Sequence, residues 1–292
     1  MKFKLVDAFT NQPLGGNPCS VFLGADHLSS EQMLAIAKEM NQSETAFIMK
    51  SLNHGLKARY FTPEREIPLA GHPTIASIHA AIESGLIQKP KKRESISLEL
   101  NDGPIRVDIE SIEAGTLIHM FQRKPQFLYK HDPKIIAEIF NLKQDNFIDE
   151  VPIQTVSTGT AMMIVPLKSK EALRKVKMNV DLYVNYRDKS DFFSPHFFCL
   201  SGESKDASTF ARHLGTPPDT LEDAFTGSAT GCMGAFIWKY GLMTKNKFIA
   251  EQGHWMGRPG RASVESVGEF NDLQSVVVSG TAVTVIDGEI RI

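Results

Sequence analysis

Cysteine is scarce. Cys19, Cys199 and Cys232 are the only three in 292 residues and share no C-x-x-C spacing, which argues against a disulfide framework or zinc ribbon and fits a reducing cytoplasm. Long apolar runs are missing as well. None approaches the roughly 18 to 20 residues that a membrane helix needs, and Lys2-Phe3-Lys4-Leu5 starts at once as an alternating strand with no signal-type apolar stretch behind it. Charge of one sign is lacking: 32 Lys and Arg stand against 34 Asp and Glu, a net of −2, so a nucleic-acid grip driven by counterion release is not expected. The basic run Lys89 to Arg93 reads as a solvated loop leading into a strand. There is no H-E-x-x-H, G-x-G-x-x-G or phosphate-binding G-x-x-x-x-G-K-[ST], and His72 and His79 stand without a carboxylate ligand at helical spacing. The expectation is a soluble, cytoplasmic chain with no support for metal hydrolysis or a nucleotide cofactor, and with neither a membrane nor a nucleic-acid partner.

What is present is a full core. Hydrophobic residues make up 42% and charged residues 23%, over a length suited to about two domains. Leu28 to Met40 reads as a helix: Ser29 and Gln32 make a capping box, Leu28 and Met33 a hydrophobic staple, and Met33, Ile36, Ala37 and Met40 share one face. Strand patterns occur at Phe3 to Phe9, Cys19 to Leu23, Thr45 to Met49, Leu56 to Phe61, Ile96 to Leu100, Ile105 to Ile109, Ser275 to Ser279 and Ala282 to Ile286. Two further helices, Pro73 to Ser84 and Ala229 to Tyr240, carry no formal charge until Glu83 and Lys239. A helix that is apolar or small all round is buried all round, so each is expected inside a curled sheet. Gly85 and Gly241 end them, Pro73 is placed at the first helical position of one, and Gly227-Ser228-Ala229 opens the other.

Three pairs of strings repeat in the same order. Thr45-Ala46-Phe47-Ile48 is echoed by Thr160-Ala161-Met162-Met163, Tyr60-Phe61-Thr62-Pro63 by Phe192-Phe193-Ser194-Pro195, and the Gly71 helix opening by Gly227. The distance from proline to glycine is 8 residues in the first copy and 32 in the second, which places a polar, loop-like insertion at Ser201 to Thr220. The reading is α+β, with two pseudo-symmetric halves, each a sheet around a central helix.

Duplicated halves commonly bind a ligand in the cleft between them. The helix openings at Gly71 and Gly227 offer unpaired N–H groups and partial positive charge, which suit a carboxylate or phosphate, and the Ser228 hydroxyl adds a donor. Pro73 has no N–H of its own, so Gly227, Ser228 and Ala229 form the better anion cradle of the two. Aligning Thr45 with Thr160 sets Glu44 opposite Gly159, and aligning the glycines sets His72 opposite Ser228. Polar groups that break a duplication are candidates for chemistry. Glu44 stands at the mouth of an apolar strand, where lost water would push its carboxyl up towards the range of a general base. His72 beside a helix N-terminus would relay a proton, and Asp223 would hold His72 or act as a second acid or base.

Several strings together resemble the phenazine-biosynthesis PhzF-like family: Asp7-Ala8-Phe9-Thr10, Gly16-Asn17-Pro18, Ser43-Glu44-Thr45-Ala46-Phe47, Ala70-Gly71-His72-Pro73-Thr74, Ser157-Thr158-Gly159, Glu222-Asp223-Ala224-Phe225-Thr226-Gly227-Ser228-Ala229, Gln252-Gly253 with Met256-Gly257-Arg258-Pro259, and Ser279-Gly280-Thr281-Ala282. The resemblance implies a diaminopimelate-epimerase-like fold of two mirrored halves, 1–117 plus 280–292 and 118–279. It further implies a homodimer and a cofactor-independent isomerase that shifts a proton on a small conjugated carboxylic acid. The family's glutamate, histidine, aspartate and serine map onto Glu44, His72, Asp223 and Ser228; Gly71, Pro73, Gly227 and Ala229 surround them. The family's proline after the aspartate is Ala224 here, which bears on how Asp223 is placed.

Two alternatives have different signatures. A two-thiol racemase needs one cysteine from each half at a helix opening, but Ala70-Gly71-His72 has none and Cys232 falls within the second helix. A non-catalytic binding protein would have no need of Glu44, His72, Asp223 and Ser228 together.

Overall fold

An uncharged helix is stable only where apolar surface encloses it, and in the computed structural model that surface is a curled sheet, once in each of two units. Residues 1–216 and 221–292 are described. Unit 1 comprises Met1–Phe121, Trp255–Ala262 and Val278–Ile292; unit 2 comprises Gln122–His254 and Ser263–Val277. Trp255–Ala262 therefore belongs to unit 1, although it lies inside the 118–279 stretch expected for the second half. It is held there by Arg258, which donates to the carbonyls of Gly15 and Gly16, and by the Arg261 N–H on the Phe9 carbonyl.

In unit 1, β1 (Lys2–Ala8) lies antiparallel between β2 (Asn17–Leu23) and β18 (Ala282–Glu289). β2 runs parallel to β3 (Glu44–Ser51), and β3 antiparallel to β4 (Gly55–Phe61). β4 meets the short β5 (Glu66–Ile67) and runs parallel to β6 (Arg93–Glu99), which continues antiparallel through β7 (Ile105–Ile112) to β8 (Gly115–Phe121). This sheet wraps α2 (Gly71–Glu83), which touches β1, β2, β3, β4, β8 and β18. Ile75 and Ile78 are fully buried, each stabilising by about 1.5–3 kcal/mol. The helix starts at Gly71, so Pro73 is its third residue and not its first. A proline is tolerated there because first-turn N–H groups have no partner within the helix. Outside, α1 (Ser30–Met40) packs on β3 and β4, with both bonds of the capping box formed: the Gln32 N–H donates to Ser29 Oγ and the Ser29 N–H to Gln32 Oε1. Leu28 and Met33 join one core cluster with Phe22, Phe47 and Phe61.

Unit 2 repeats the scheme. β9 (Gln126–His131) and β10 (Ile153–Ser157) pair antiparallel, β10 with β11 (Ala161–Leu167) likewise, and β11 runs parallel to β12 (Ser194–Cys199). β12 pairs antiparallel with β13 (Thr209–Leu214), which meets the short β14 (Glu222–Asp223) and runs parallel to β15 (Lys247–Gln252). β16 (Gly260–Glu269) and β17 (Asp272–Gly280) follow. The enclosed helix is α6 (Gly227–Lys239), packed on β10, β11 and β12, while the short helices α3 (Pro133–Ile139), α4 (Lys170–Lys175) and α5 (Val180–Arg187) lie on strands or on each other elsewhere.

Strand pairing corrects the alignment of the two copies. The parallel pair β2/β3 corresponds to β11/β12, with Cys19 beside Glu44 as Met162 is beside Ser194. Glu44 is thus equivalent to Ser194, not to Gly159, and Thr160 is equivalent to Asn17. Tyr60 and Phe61, which face Ile67 and Glu66, correspond to His213 and Leu214, which face Asp223 and Glu222. The duplication is preserved in an ion pair: Arg59 grips Glu66 with two bonds of 2.7 Å, and Arg212 grips Glu222 with two of 2.8 Å. The loop expected at 201–220 contains β13, a buried strand, because Phe210, Ala211 and Leu214 bury their side chains there; residues 217–220 of that stretch lie outside the described residues.

Candidate active site

Glu44 opens β3, and His72 is the second residue of α2. In unit 1 the curl of the sheet brings Glu44 Oε2 to 3.4 Å from His72 Nε2, the glutamate side chain being 20% exposed and the histidine 3%. Gly71 and Pro73 flank His72 and are buried with it. On the far side of the ring, Asn17, the first residue of β2, places Nδ2 at 2.9 Å from His72 Nδ1.

The position of Asn17 follows from the loop before it. β1 ends at Ala8, and at Phe9 the chain turns with a φ of +62°; the Phe9 N–H donates to the Thr281 carbonyl at 2.8 Å. Such a φ costs an aromatic residue about 1 kcal/mol. Gly16 has a φ of +51°, and a Cβ there would collide with the Ala8 carbonyl, so only glycine fits immediately before Asn17. Asp7, buried at the end of β1, accepts from the Leu14 N–H at 2.7 Å and from Arg258 Nη2 at 2.6 Å. Burial pushes the Asp7 carboxyl above its ordinary value, with Arg258 opposing that shift.

Unit 2 brings together Asp223, Gly227, Ser228 and Ala229. The Thr226 hydroxyl donates to Asp223 Oδ2 at 2.6 Å, and Gln252 Nε2 donates to the Asp223 carbonyl at 2.8 Å while its Oε1 accepts the Thr226 N–H at 3.2 Å. The turn entering α6 is thus clamped by Gln252 on one side. On the other, Gln122 Nε2 donates to the Gly227 carbonyl at 2.9 Å, and Gln122 Oε1 accepts from Thr158 at 2.5 Å. Gly231 lets that buried amide lie against the helix; a Cβ there would occupy the amide's space. The helix ladder begins with the Thr230 N–H on the Thr226 carbonyl, which leaves the N–H groups of Gly227, Ser228 and Ala229 outside it. Ala224 is buried just after Asp223, and the aspartate is held by Thr226 and Gln252 without the family's proline.

Ser194, the unit 2 counterpart of Glu44, lies 2.8 Å from His213 Nε2, and His213 Nδ1 lies 3.3 Å from His196 Nδ1. Burial lowers His213 to about 4, against the opposing pull of Asp223 and Glu222, and burial followed by His213 holds His196 well below the usual imidazole range. Both rings are neutral near pH 7. The thiols are held protonated too: burial, then the Glu44 charge, pushes Cys19 well up, and burial raises Cys232 to about 11. Neither is prepared to act as a thiolate base. Asn17, Gln122, Gln252 and His213 were not singled out as site residues from the sequence. Among the described residues no group of three or more His, Cys, Asp or Glu is arranged to hold a metal, and no helix is long and apolar enough to cross a membrane.

Comparison with known proteins agrees with this architecture. Residues 6–288 match the family described as phenazine biosynthesis-like protein. The chain is 35% identical to the isomerase YfhB of Bacillus subtilis, over 95% of this chain and 94% of that one. It is 31% identical to the trans-2,3-dihydro-3-hydroxyanthranilate isomerase of Pseudomonas chlororaphis, over 97% and 96%. The crystal structure of a PhzF-family phenazine biosynthesis protein from Bacillus anthracis superposes with a TM-score of 0.89 at 32% identity, covering 100% and 99% of the two chains.

Proposed function

The chain belongs to the phenazine biosynthesis-like family and is an isomerase, and on that premise we propose that it moves a proton on a small conjugated carboxylic acid by general acid/base catalysis. The observation that carries the reading is the half-buried Glu44 carboxylate facing His72 Nε2 at the opening of a buried, uncharged helix. A carboxylate in such a place takes a proton from a C–H acidified by conjugation. The electron pair left behind shifts along the conjugated system, and the same carboxyl returns the proton to another carbon. No redox change occurs, so no oxidant or reductant enters the balance.

Within unit 2, the α6 opening is the feature suited to a carboxylate. There the N–H groups of Gly227, Ser228 and Ala229, the Ser228 hydroxyl and the helix dipole all favour an anion. Asp223, fixed by Thr226 and Gln252, is the second acid/base group. A homodimer, by family likeness, and cytoplasmic residence, from the sparse cysteines, belong to the same proposal.

The reading is tested in heavy water with a panel of conjugated acids, among them the dihydro-hydroxyanthranilate named for the Pseudomonas chlororaphis relative. Carbon-bound deuterium and a displaced double bond are expected in the recovered acid. An acid that binds by calorimetry yet takes up no deuterium and does not isomerise would point instead to a binding protein. Ser228→Ala should raise KM about tenfold, the worth of one hydrogen bond to a charged group, with kcat nearly unchanged. A fall in kcat at constant KM would move Ser228 from binding to chemistry.

A further inference from the structure

Asn17 is 2% exposed, and its amide stands between Ser43 and the His72 ring. The Ser43 hydroxyl lies 3.5 Å from Asn17 Oδ1, leaving the other end of the amide to face the imidazole. That end is Nδ2, 2.9 Å from His72 Nδ1, and an amide nitrogen has only hydrogens to give. His72 Nδ1 therefore accepts. A neutral imidazole carries one ring hydrogen, so it sits on Nε2, the atom 3.4 Å from Glu44 Oε2.

We infer that Asn17 is a positioning residue that locks His72 as the Nε2–H tautomer, so that the ring presents a hydrogen on the side of Glu44 and does not compete for the proton Glu44 carries. The inference rests on the proposed role of Glu44. With a lone pair on Nε2, the ring would draw off the proton taken from the substrate. With a hydrogen there, the ring is closed to the proton that Glu44 carries. The duplication supports a dedicated device: at the equivalent positions unit 2 has Thr160 for Asn17, Ser228 for His72 and Ser194 for Glu44, so all three members of the unit 1 chain are replaced together.

The test is nitrogen NMR of the full chain labelled only at its 9 histidines, with the His72 signals identified by their loss in His72→Gln. At neutral pH the unaltered protein should show His72 with hydrogen on Nε2 and none on Nδ1. A spectrum with hydrogen on Nδ1, alone or on both nitrogens, overturns the inference, and this measurement requires no variant at position 17 to fold. Asn17→Asp presents an acceptor in place of the donor and should place a hydrogen on Nδ1, with or without the one on Nε2. An unchanged His72 signal in that variant also overturns the inference. In turnover, Asn17→Asp should lower kcat at least about tenfold with KM within about twofold, as expected for a misdirected acid/base partner. Because the spectrum reads the tautomer without turnover, failure of the lock and failure of the isomerase reading give different results.

Discussion

Glu44→Gln is expected to lower kcat by roughly 10²–10⁴, the range contributed by a positioned general acid/base, and to change KM little. Glutamine has nearly the same shape and can still present an oxygen towards His72 Nε2, so the geometry at the start of β3 should hold. What it cannot do is carry a proton away from carbon. The measurement is deuterium uptake into carbon in heavy water, run beside the unaltered protein with any acid that turns over. A variant retaining the rate within about threefold would remove Glu44 from its role and transfer attention to Asp223. Unfolding curves of the two proteins should nearly coincide, since glutamine keeps the shape of the half-buried side chain.

The parts of this arrangement legible in the sequence are those that local physics determines. The want of charge along Ile75 to Ala81 and Ala229 to Ile237 announces helices buried on every side, and both are enclosed by sheet. Ser29 and Gln32 announce the start of α1 because a capping box uses only residues three apart. Matching of the two copies fails where it relies on short strings. Thr160-Ala161-Met162-Met163 looks like the start of β3 but leads into β11, the counterpart of β2, since a strand's identity is set by its partners and not by its letters. The conserved plan lies in Arg59–Glu66 and Arg212–Glu222, seven and ten residues apart, and the unequal spacing hides it from string comparison. Asn17 and Gln252 are silent for another reason. Amides do not titrate, and their partners lie 55 and 29 residues away in the chain.

Arg258→Met should destabilise the protein by about 3 kcal/mol at pH 7, the low end of the cost of stripping a buried ion pair of one partner, because Arg258 is itself 28% exposed. Methionine keeps the apolar stem but leaves Asp7 with the Leu14 N–H alone. Burial already holds the Asp7 carboxyl above its ordinary value, and without the guanidinium the shift grows. A carboxyl whose folded pKa is raised favours folding when protonated: its contribution is intact below the ordinary carboxylate pKa of about 3.9 and is lost as pH rises through the folded value. The deficit of Arg258→Met should therefore be small near pH 4 and widen towards pH 7. Denaturant unfolding at the two pH values measures it, and adding Asp7→Asn should restore much of the pH 7 stability and abolish the pH dependence. Equal stability of the single variant and the unaltered protein at both pH values would show that the pair contributes nothing. Activity should fall in step, since the same guanidinium holds the Gly15 and Gly16 carbonyls and through them the residue against His72. If Asp7→Asn with Arg258→Met recovers stability but not turnover, the loop, and not the buried charge, is what the reaction depends on.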